Sequence, residues 1–458
     1  MLDGGMDAGE RSLGNDAADS ADAAEQLPPL TAGAASVEIT PSIGVPLGGF
    51  GARRLATPDA NPFNDFTFYR PSVGVRDPLY CKALVLQSGA DRVALLSVDT
   101  VAVSKDLDEL VLAKAQARGV QLTSSNLMMF ASHTHSGTGA VSRLHLWEQA
   151  ALDLHIKRIS DELADRCAES LLQAQQRMQP AELGIGVSSI DYATHNRRAG
   201  ISPTLTESSI DPTLMTIRVD RQGGAGAVAT LWNFAIHGNV LGSANLRFSA
   251  DIMGAVSAQM EADQLGVAIF ANSAEGDISP VAGDEAGMMT LAAKMATDIK
   301  AARAAILTTQ RAALQAHATM VPFGEATLRA ASSNVGGDLG LFEALQSLGL
   351  DPSVSRKLGS DWIDNEFRFQ AVRINDTVLM SVPGEPIQAL GTELKNLAKA
   401  KGFARGMVIG LSNGHMGYIT TEAEYKAGGQ ESLSTMFGVD TAQNVIRACA
   451  AELDAVRP

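Results

Sequence analysis

The chain of 458 residues is 45% hydrophobic and only 19% charged, enough apolar material for one large core or two moderate ones. Its net charge of -15 and pI near 5.0 exclude the basic field through which nucleic acid or an anionic membrane surface is bound, and cations are tolerated. Three scattered cysteines, Cys81, Cys167 and Cys449, form no metal-type cluster, and no structural disulfide is expected of them.

The opening residues are rich in Ala, Asp, Gly and Glu and lack both an apolar segment and a basic start, which predicts a disordered acidic tail over 1–34 rather than a signal peptide. No later run of about 18 apolar residues exists, so no transmembrane segment is expected, and a cytoplasmic location is the matching expectation. A single catalytic domain is expected over 35–458. It begins near Ala35 with a short strand, Ser36 to Thr40, closed by Pro41 and followed by a flexible glycine-rich loop from Gly44 to Arg54.

Two β-rich runs, Tyr80 to Gln87 and Arg92 to Val98, read as a hairpin ending at Asp99. Ser104 to Arg118 has helical spacing at Leu107, Leu110, Val111 and Ala115, and it delivers the chain to an apolar strand from Asn126. That strand runs into Ala131-Ser-His-Thr-His-Ser-Gly137. Side chains two apart on a strand share a face, so His133 and His135 stand together where a buried strand reaches the surface, an arrangement suited to a divalent metal.

Leu144 to Gln176 is expected to be helical, with His145 and His155 as surface or packing residues. The strand Glu182 to Ser189 leads to an irregular polar loop, Asp191 to Arg198, whose Arg197 is suited to clamping an anionic intermediate. Val228 to Ile236 is a second strongly apolar strand and also ends at a histidine, His237. A helix-like stretch to Gln264 precedes a third, Val267 to Ala271, which ends in a polar run containing Asp277 and Ser279. Asp277 is placed to hold a histidine ring through its second nitrogen. A helix over Thr290 to Thr308 follows, and then a weakly periodic, glycine-containing insertion or lid, Ala326 to Asn365.

Phe367 to Ile374 and Thr377 to Val382 form a second hairpin ending in Pro383-Gly-Glu385-Pro386, where two prolines fix the direction of Glu385. After a helix over Ile387 to Lys401, the last apolar strand, Met407 to Leu411, leads to Tyr418. Apolar strands separated by helical or mixed segments therefore terminate in His133 and His135, His237, Asp277 and Ser279, Glu385, and Tyr418. The fold class is α/β, a mixed β-sheet core flanked by helices, with one site at the ends of several strands. Two histidines, a carboxylate and a phenol make a nitrogen and oxygen ligand set suited to Zn2+, which lowers the pKa of a coordinated water to about 7.

These stretches, with Trp232-Asn-Phe-Ala-Ile-His237, Gly276-Asp-Ile-Ser-Pro280, Tyr418-Ile-Thr-Thr421 and Glu424-Tyr425, resemble the neutral, non-lysosomal ceramidases, zinc amidases that split an N-acyl sphingoid base. The resemblance runs with gaps from about Val37 to Val445. It implies zinc ligation by His133, His237, Glu385 and Tyr418, catalytic roles for His135 and Arg197, and a serine nucleophile at Ser279. The residues themselves give Ser279 two readings: a nucleophile served by a base such as His135, or a group in a tight turn that orients the substrate carbonyl while activated water attacks.

The family commonly carries a further C-terminal β-rich domain, whereas this chain ends about forty residues after Tyr418, and it has Gln430-Glu431 where a Tyr-Glu pair is usual. The resemblance implies hydrolysis of a small-molecule N-acyl amide, and these departures leave room for a substrate that need not be ceramide, a smaller or more polar one among the alternatives. A zinc esterase or lactonase would use the same chemistry, and a non-catalytic, metal-stabilised binding protein would need neither His135 nor Arg197.

Overall fold

The structure is a computed structural model that describes residues 27–60, 66–328 and 356–457. Strands β1 (Leu30–Glu38), β2 (Tyr80–Ser88), β3 (Asp91–Val98), β4 (Leu127–Ala131), β5 (Gln179–Ser189), β6 (Thr213–Arg221), β7 (Ala227–Phe234) and β8 (Val267–Asn272) form an eight-stranded sheet in the order β8-β7-β6-β5-β1-β2-β3-β4. A four-stranded sheet joins β9 (Leu314–Pro322), β10 (Glu366–Ile374), β11 (Thr377–Ser381) and β12 (Arg405–Ile409) in sequence order. The main helices are α1 (Lys105–Ala117), α2 (Lys157–Gln176), α3 (Asp251–Ala262), α4 (Glu285–Ala304), α5 (Gln388–Ala400) and α6 (Thr441–Ala455).

Alternation along each strand explains the layering, because successive side chains face opposite ways. Leu84, Leu95, Met128, Phe130, Leu231 and Ile269 of the large sheet meet Val372, Ile374, Leu379, Met407 and Ile409 of the small one in a shared core between the sheets. The opposite-facing Ala83, Val85, Leu96 and Met129 pack with Leu107, Val111, Leu163 and Leu171 of α1 and α2. Trp232, Phe234 and Phe270 pack with α3 and α4, and Phe369, Met380 and Val408 with α5 and α6. Both sheets are thus covered by helices on their outer faces, and strands buried on both sides read as continuous apolar runs.

Most pairings are antiparallel, but β3–β4, β7–β8 and β11–β12 are parallel. Each parallel pair is bridged by one helix, α1, α3 or α5, in the crossover that parallel strands require. The carboxyl ends of these pairs are laced together. Ala131 N donates to Leu411 O at 3.1 Å, Gly410 N to Asn272 O at 3.1 Å, and Asn233 Nδ2 to Val408 O at 2.9 Å. Residues that follow β4, β7, β8, β11 and β12 are delivered to one place.

Several expected boundaries move. Strand β1 begins at Leu30, ahead of Ala35, because Leu30 and Ala32 are fully buried and pair with β2. The single helix expected from Leu144 is broken into a short turn at His145–Trp147, a π-helical turn at Glu148–Leu152 and α2. At the break Asp153 takes φ +68°, and its carboxylate accepts the amides of Phe68 and Tyr69. Helix α4 starts at Glu285, before Thr290, because the Asp284 side chain caps it by accepting from Gly287 N at 2.7 Å.

The Asp191–Arg198 stretch, expected to be irregular, contains a strand at Thr194–Asn196 that pairs with Ile278–Pro280. Most of the expected insertion or lid lies outside the described residues, as does the tail up to residue 26. The short strands Ala326–Leu328 and Arg356–Leu358 pair on its two flanks. The expectation of no structural disulfide is also corrected. Cys81 of β2 and Cys167 of α2 are bridged with their Cα atoms 5.2 Å apart, because the helix packs over the strand across a sequence separation of 86, while Cys449 is free and buried.

Candidate metal centre

Strand β4 ends at Ala131, before the histidines, so the shared-face argument does not by itself bring them together. The chain turns instead. Ser132 N donates to Val98 O and His133 N to Thr100 O, and His133 adopts φ +68°. His135 N then donates to Gly238 O at 2.8 Å, which ties this turn to the one carrying His237. On the other side Glu385 and Tyr418 are direct partners in a short parallel ladder, Glu385–Pro386 with Tyr418–Ile419, which places the carboxylate and the phenol side by side.

The imidazoles are oriented by backbone carbonyls. His133 Nδ1 lies 2.7 Å from Val101 O, and His237 Nδ1 lies 3.1 Å from Glu275 O. A carbonyl only accepts, so each Nδ1 carries the proton and each Nε2 presents a lone pair. Those lone pairs converge, with His133 Nε2 at 3.0 Å from His237 Nε2 and 3.4 Å from His135 Nε2. Glu385 Oε2 lies 3.4 Å from His133 Nε2 and 3.6 Å from His237 Nε2 and is buried without a hydrogen bond. Tyr418 Oη is 3.5 Å from His237 Nε2.

Buried acceptors facing one another repel unless a cation lies between them. Metal bonds of about 2.0–2.1 Å in a tetrahedron hold ligand atoms about 3.3 Å apart, and the spacings here bracket that value. The donor set therefore fits a divalent ion. The described residues contain two overlapping candidate groups, His133 with His135 and His237, and His133 with Glu275 and Glu385.

The charges follow from burial and neighbours. Burial, reinforced by His133, pushes the His135 imidazolium pKa well below its ordinary value, and burial with Arg197 does the same for His237. Burial opposes ionisation of Glu385, yet His133, His415 and His237 beside it hold its carboxyl well below the usual range. Burial drives the Tyr418 phenol well above its usual value against the pull of Arg197. Burial likewise opposes the charge on Arg197, but Tyr418 and Glu431 raise its pKa above the ordinary value, so it stays cationic.

Arg197 is brought to the site. Its Nη2 donates to Tyr418 Oη at 3.0 Å and to Gly276 O at 2.5 Å, and its Nε donates to Glu431 Oε1 at 2.7 Å. Ser279 lies opposite His195 on the short Ile278–Pro280 strand, half-buried, and among the described residues no hydrogen bond joins its hydroxyl to any of the three site histidines. Asp277 does not hold a histidine ring. Its carboxylate accepts from Asn196 Nδ2 and from Gln388 N, both at 2.7 Å, and so staples the Arg197 strand to the start of α5. His145 and His155 lie elsewhere, bonded to Glu148 and Ser160.

The loop expected to be flexible, Gly44 to Arg54, is a wall of the site. Phe50 places its ring 4.7 Å from that of His135, and the buried Arg53 donates to His135 O at 2.6 Å. Gly49, at φ +111°, would put a Cβ 2.5 Å from His135 Cα. Gly49→Ala is therefore expected to destabilise the fold by about 1–3 kcal/mol and to displace His135. Thermal denaturation checks this, and an unchanged melting temperature with unchanged metal content would contradict it.

The sequence reading assigned no role to His415, Glu275 or Glu431. His415 donates from Nε2 to Glu385 Oε1 at 3.2 Å and stacks edge-on against Trp147. Its signal was its place three residues before Tyr418. Glu275 and Glu431 are single carboxylates in polar stretches, and only the fold shows that they are buried.

A family model described as neutral/alkaline non-lysosomal ceramidase, N-terminal, matches residues 67–305, just over half of the 458 residues. A neutral ceramidase of Pseudomonas aeruginosa is 28% identical over 222 residues, covering 46% of this chain and 33% of that protein. A neutral ceramidase of Mycobacterium tuberculosis is 22% identical over 454 residues, covering 80% of this chain and 70% of its own length. The chain thus spans about a third of the first relative. Among solved structures, a crystal structure of neutral ceramidase from Pseudomonas aeruginosa aligns with TM-score 0.77 at 20% identity over 94% of this chain and 75% of that one. A second, described as ceramidase complexed with C2, aligns with TM-score 0.79 at 20% identity over 93% and 75%. These two likenesses concern the fold.

Proposed function

Because the chain belongs to the neutral/alkaline non-lysosomal ceramidase family, we propose that it hydrolyses a linear N-acyl amide at a zinc ion held by His133, His237, Glu385 and Tyr418. The observation that carries this reading is the convergence of the Nε2 atoms of His133 and His237, 3.0 Å apart, on Glu385 Oε2 at 3.4 and 3.6 Å, with no hydrogen bond to that oxygen among the described residues. Zinc bound there would polarise the scissile carbonyl and activate a water for attack.

The chain's own groups supply the rest. His135, kept neutral by burial, faces the same point and is placed to take a proton from the attacking water and return it to the leaving amine. Arg197 holds its positive charge against Tyr418 Oη and stabilises negative charge developing on the carbonyl oxygen. Glu431 fixes the guanidinium through Nε, so the remaining nitrogens keep their direction. That no hydrogen bond joins Ser279 to a site histidine among the described residues favours its positioning role over a nucleophilic one.

The substrate class is N-acyl amide, and the part of this reading that makes it smaller or more polar than long-chain ceramide rests on Gln430 standing where the family usually has tyrosine. Gln430 is exposed at the start of a short helical turn, next to the buried Glu431. The test is a panel of N-acyl amides, from short acyl amines to long-chain ceramide, with matched esters, assayed before chelation, after it and after zinc is restored. Chelator-sensitive amide hydrolysis with a higher kcat/KM for short amides is expected. Faster turnover of every matched ester would replace the amidase reading, and a clear preference for long-chain ceramide would overturn the substrate preference alone.

A further inference from the structure

Glu275 is used by the site only through its backbone, whose carbonyl orients His237. Its side chain is fully buried, and among the described residues both carboxylate oxygens lack a hydrogen-bond partner. An ionised carboxylate without donors is costly to bury, and a second carboxylate, that of Glu385, lies close by.

The carboxylate has little freedom to turn away. Gly276 N is tied to Pro386 O at 2.9 Å and Ile278 N to Glu275 O at 2.8 Å, which fixes the backbone on both sides. Gly410 leaves the space that the side chain fills, since a Cβ there would come within 2.8 Å of Glu275 Oε2 and 2.5 Å of Ser273 O. From this position Glu275 directs a ligand atom to within 4.8 Å of those of both His133 and Glu385. Glu385 Oε2, buried and equally without a hydrogen bond, lies in the same place.

We propose that Glu275 is a further ligand of the metal ion held by His133, His237, Glu385 and Tyr418. A cation between the two carboxylates satisfies the unpartnered oxygens and removes the repulsion between them. A second carboxylate raises the number of donors above four. The bound ion is then five- or six-coordinate rather than tetrahedral, and its oxygen-rich shell accommodates harder divalent ions such as Mn2+ beside Zn2+.

This inference rests on the metal reading of the site, and the experiment separates the two. The full chain and its Glu275→Gln variant are analysed for bound metal, titrated with Zn2+ against a competing chelator, and loaded with Co2+ for visible absorption spectra. Expected are one metal per chain in the unaltered protein, Zn2+ affinity lower by about 10-fold or more in Glu275→Gln, and Co2+ visible bands that strengthen in the variant as the loss of one donor lowers the coordination number. An intense four-coordinate Co2+ spectrum in the unaltered protein overturns the proposal without any variant. So do equal affinities in the two proteins, or two metals per chain with one lost from Glu275→Gln, which would make Glu275 the holder of a separate ion. A purified, active protein with no metal at all would overturn the metal reading itself.

Discussion

His237→Ala is expected to abolish metal retention and to lower kcat/KM by about 1000-fold or more. The residue follows β7 and is 1% exposed, with its backbone N bonded to Ile278 O at 3.1 Å and its Nδ1 to Glu275 O at 3.1 Å. Removing the ring deletes the nitrogen 3.0 Å from His133 Nε2 and the Nδ1 bond to Glu275 O, while Glu275 O keeps the bond from Ile278 N at 2.8 Å that closes its turn. Glu385→Gln is the matched control. It keeps the volume and the contact with His415 but replaces an anionic oxygen with a neutral amide, so metal should be lost with little change in packing. Metal analysis of both purified variants decides the matter, and full metal content in both would refute the ligand assignment.

The carboxyl ends of the strands were legible in the sequence because parallel strands covered on both faces are apolar throughout and stop abruptly at polar residues. His133, His237, Glu385 and Tyr418 each follow such a run, and β4, β7, β11 and β12 are members of the three parallel pairs. The convergence of those ends depended on lacing bonds between distant segments, such as Gly410 N to Asn272 O, which leave no local pattern.

Residues whose roles come from tertiary burial were the ones missed or misread. Glu275 and Asp277 lie two apart in one polar stretch, but one points an unpartnered carboxylate at the site and the other staples Asn196 to α5. The glycine-rich loop near Gly49 looked mobile because glycine permits many conformations. Here glycine permits one close approach to His135. The Cys81–Cys167 bridge was illegible for a related reason, since a strand and a helix far apart in sequence meet only after the outer layer has packed.

Arg198→Met is expected to destabilise the fold by about 3–5 kcal/mol, the cost of leaving buried charge uncompensated. Arg198 is fully buried, its Nε 2.8 Å from Glu424 Oε2 and its Nη1 2.7 Å from Glu431 Oε2. With Arg197 it balances those two carboxylates, so removing one guanidinium leaves a net buried negative charge beside the site. Burial works against ionisation of Glu431, but Arg197 and Arg198 hold its folded pKa below the ordinary 4.5. A depressed carboxylate contributes stability that is present above the unfolded pKa and lost as pH falls through the folded one. The unaltered protein should therefore lose part of its stability as pH falls below the ordinary 4.5, and Arg198→Met should lose less over that range because its pair is already broken. Denaturant unfolding at neutral and acid pH measures both effects. A loss under about 1 kcal/mol at neutral pH would show that the pair is relieved by water and that Glu431 holds Arg197 without help from Arg198.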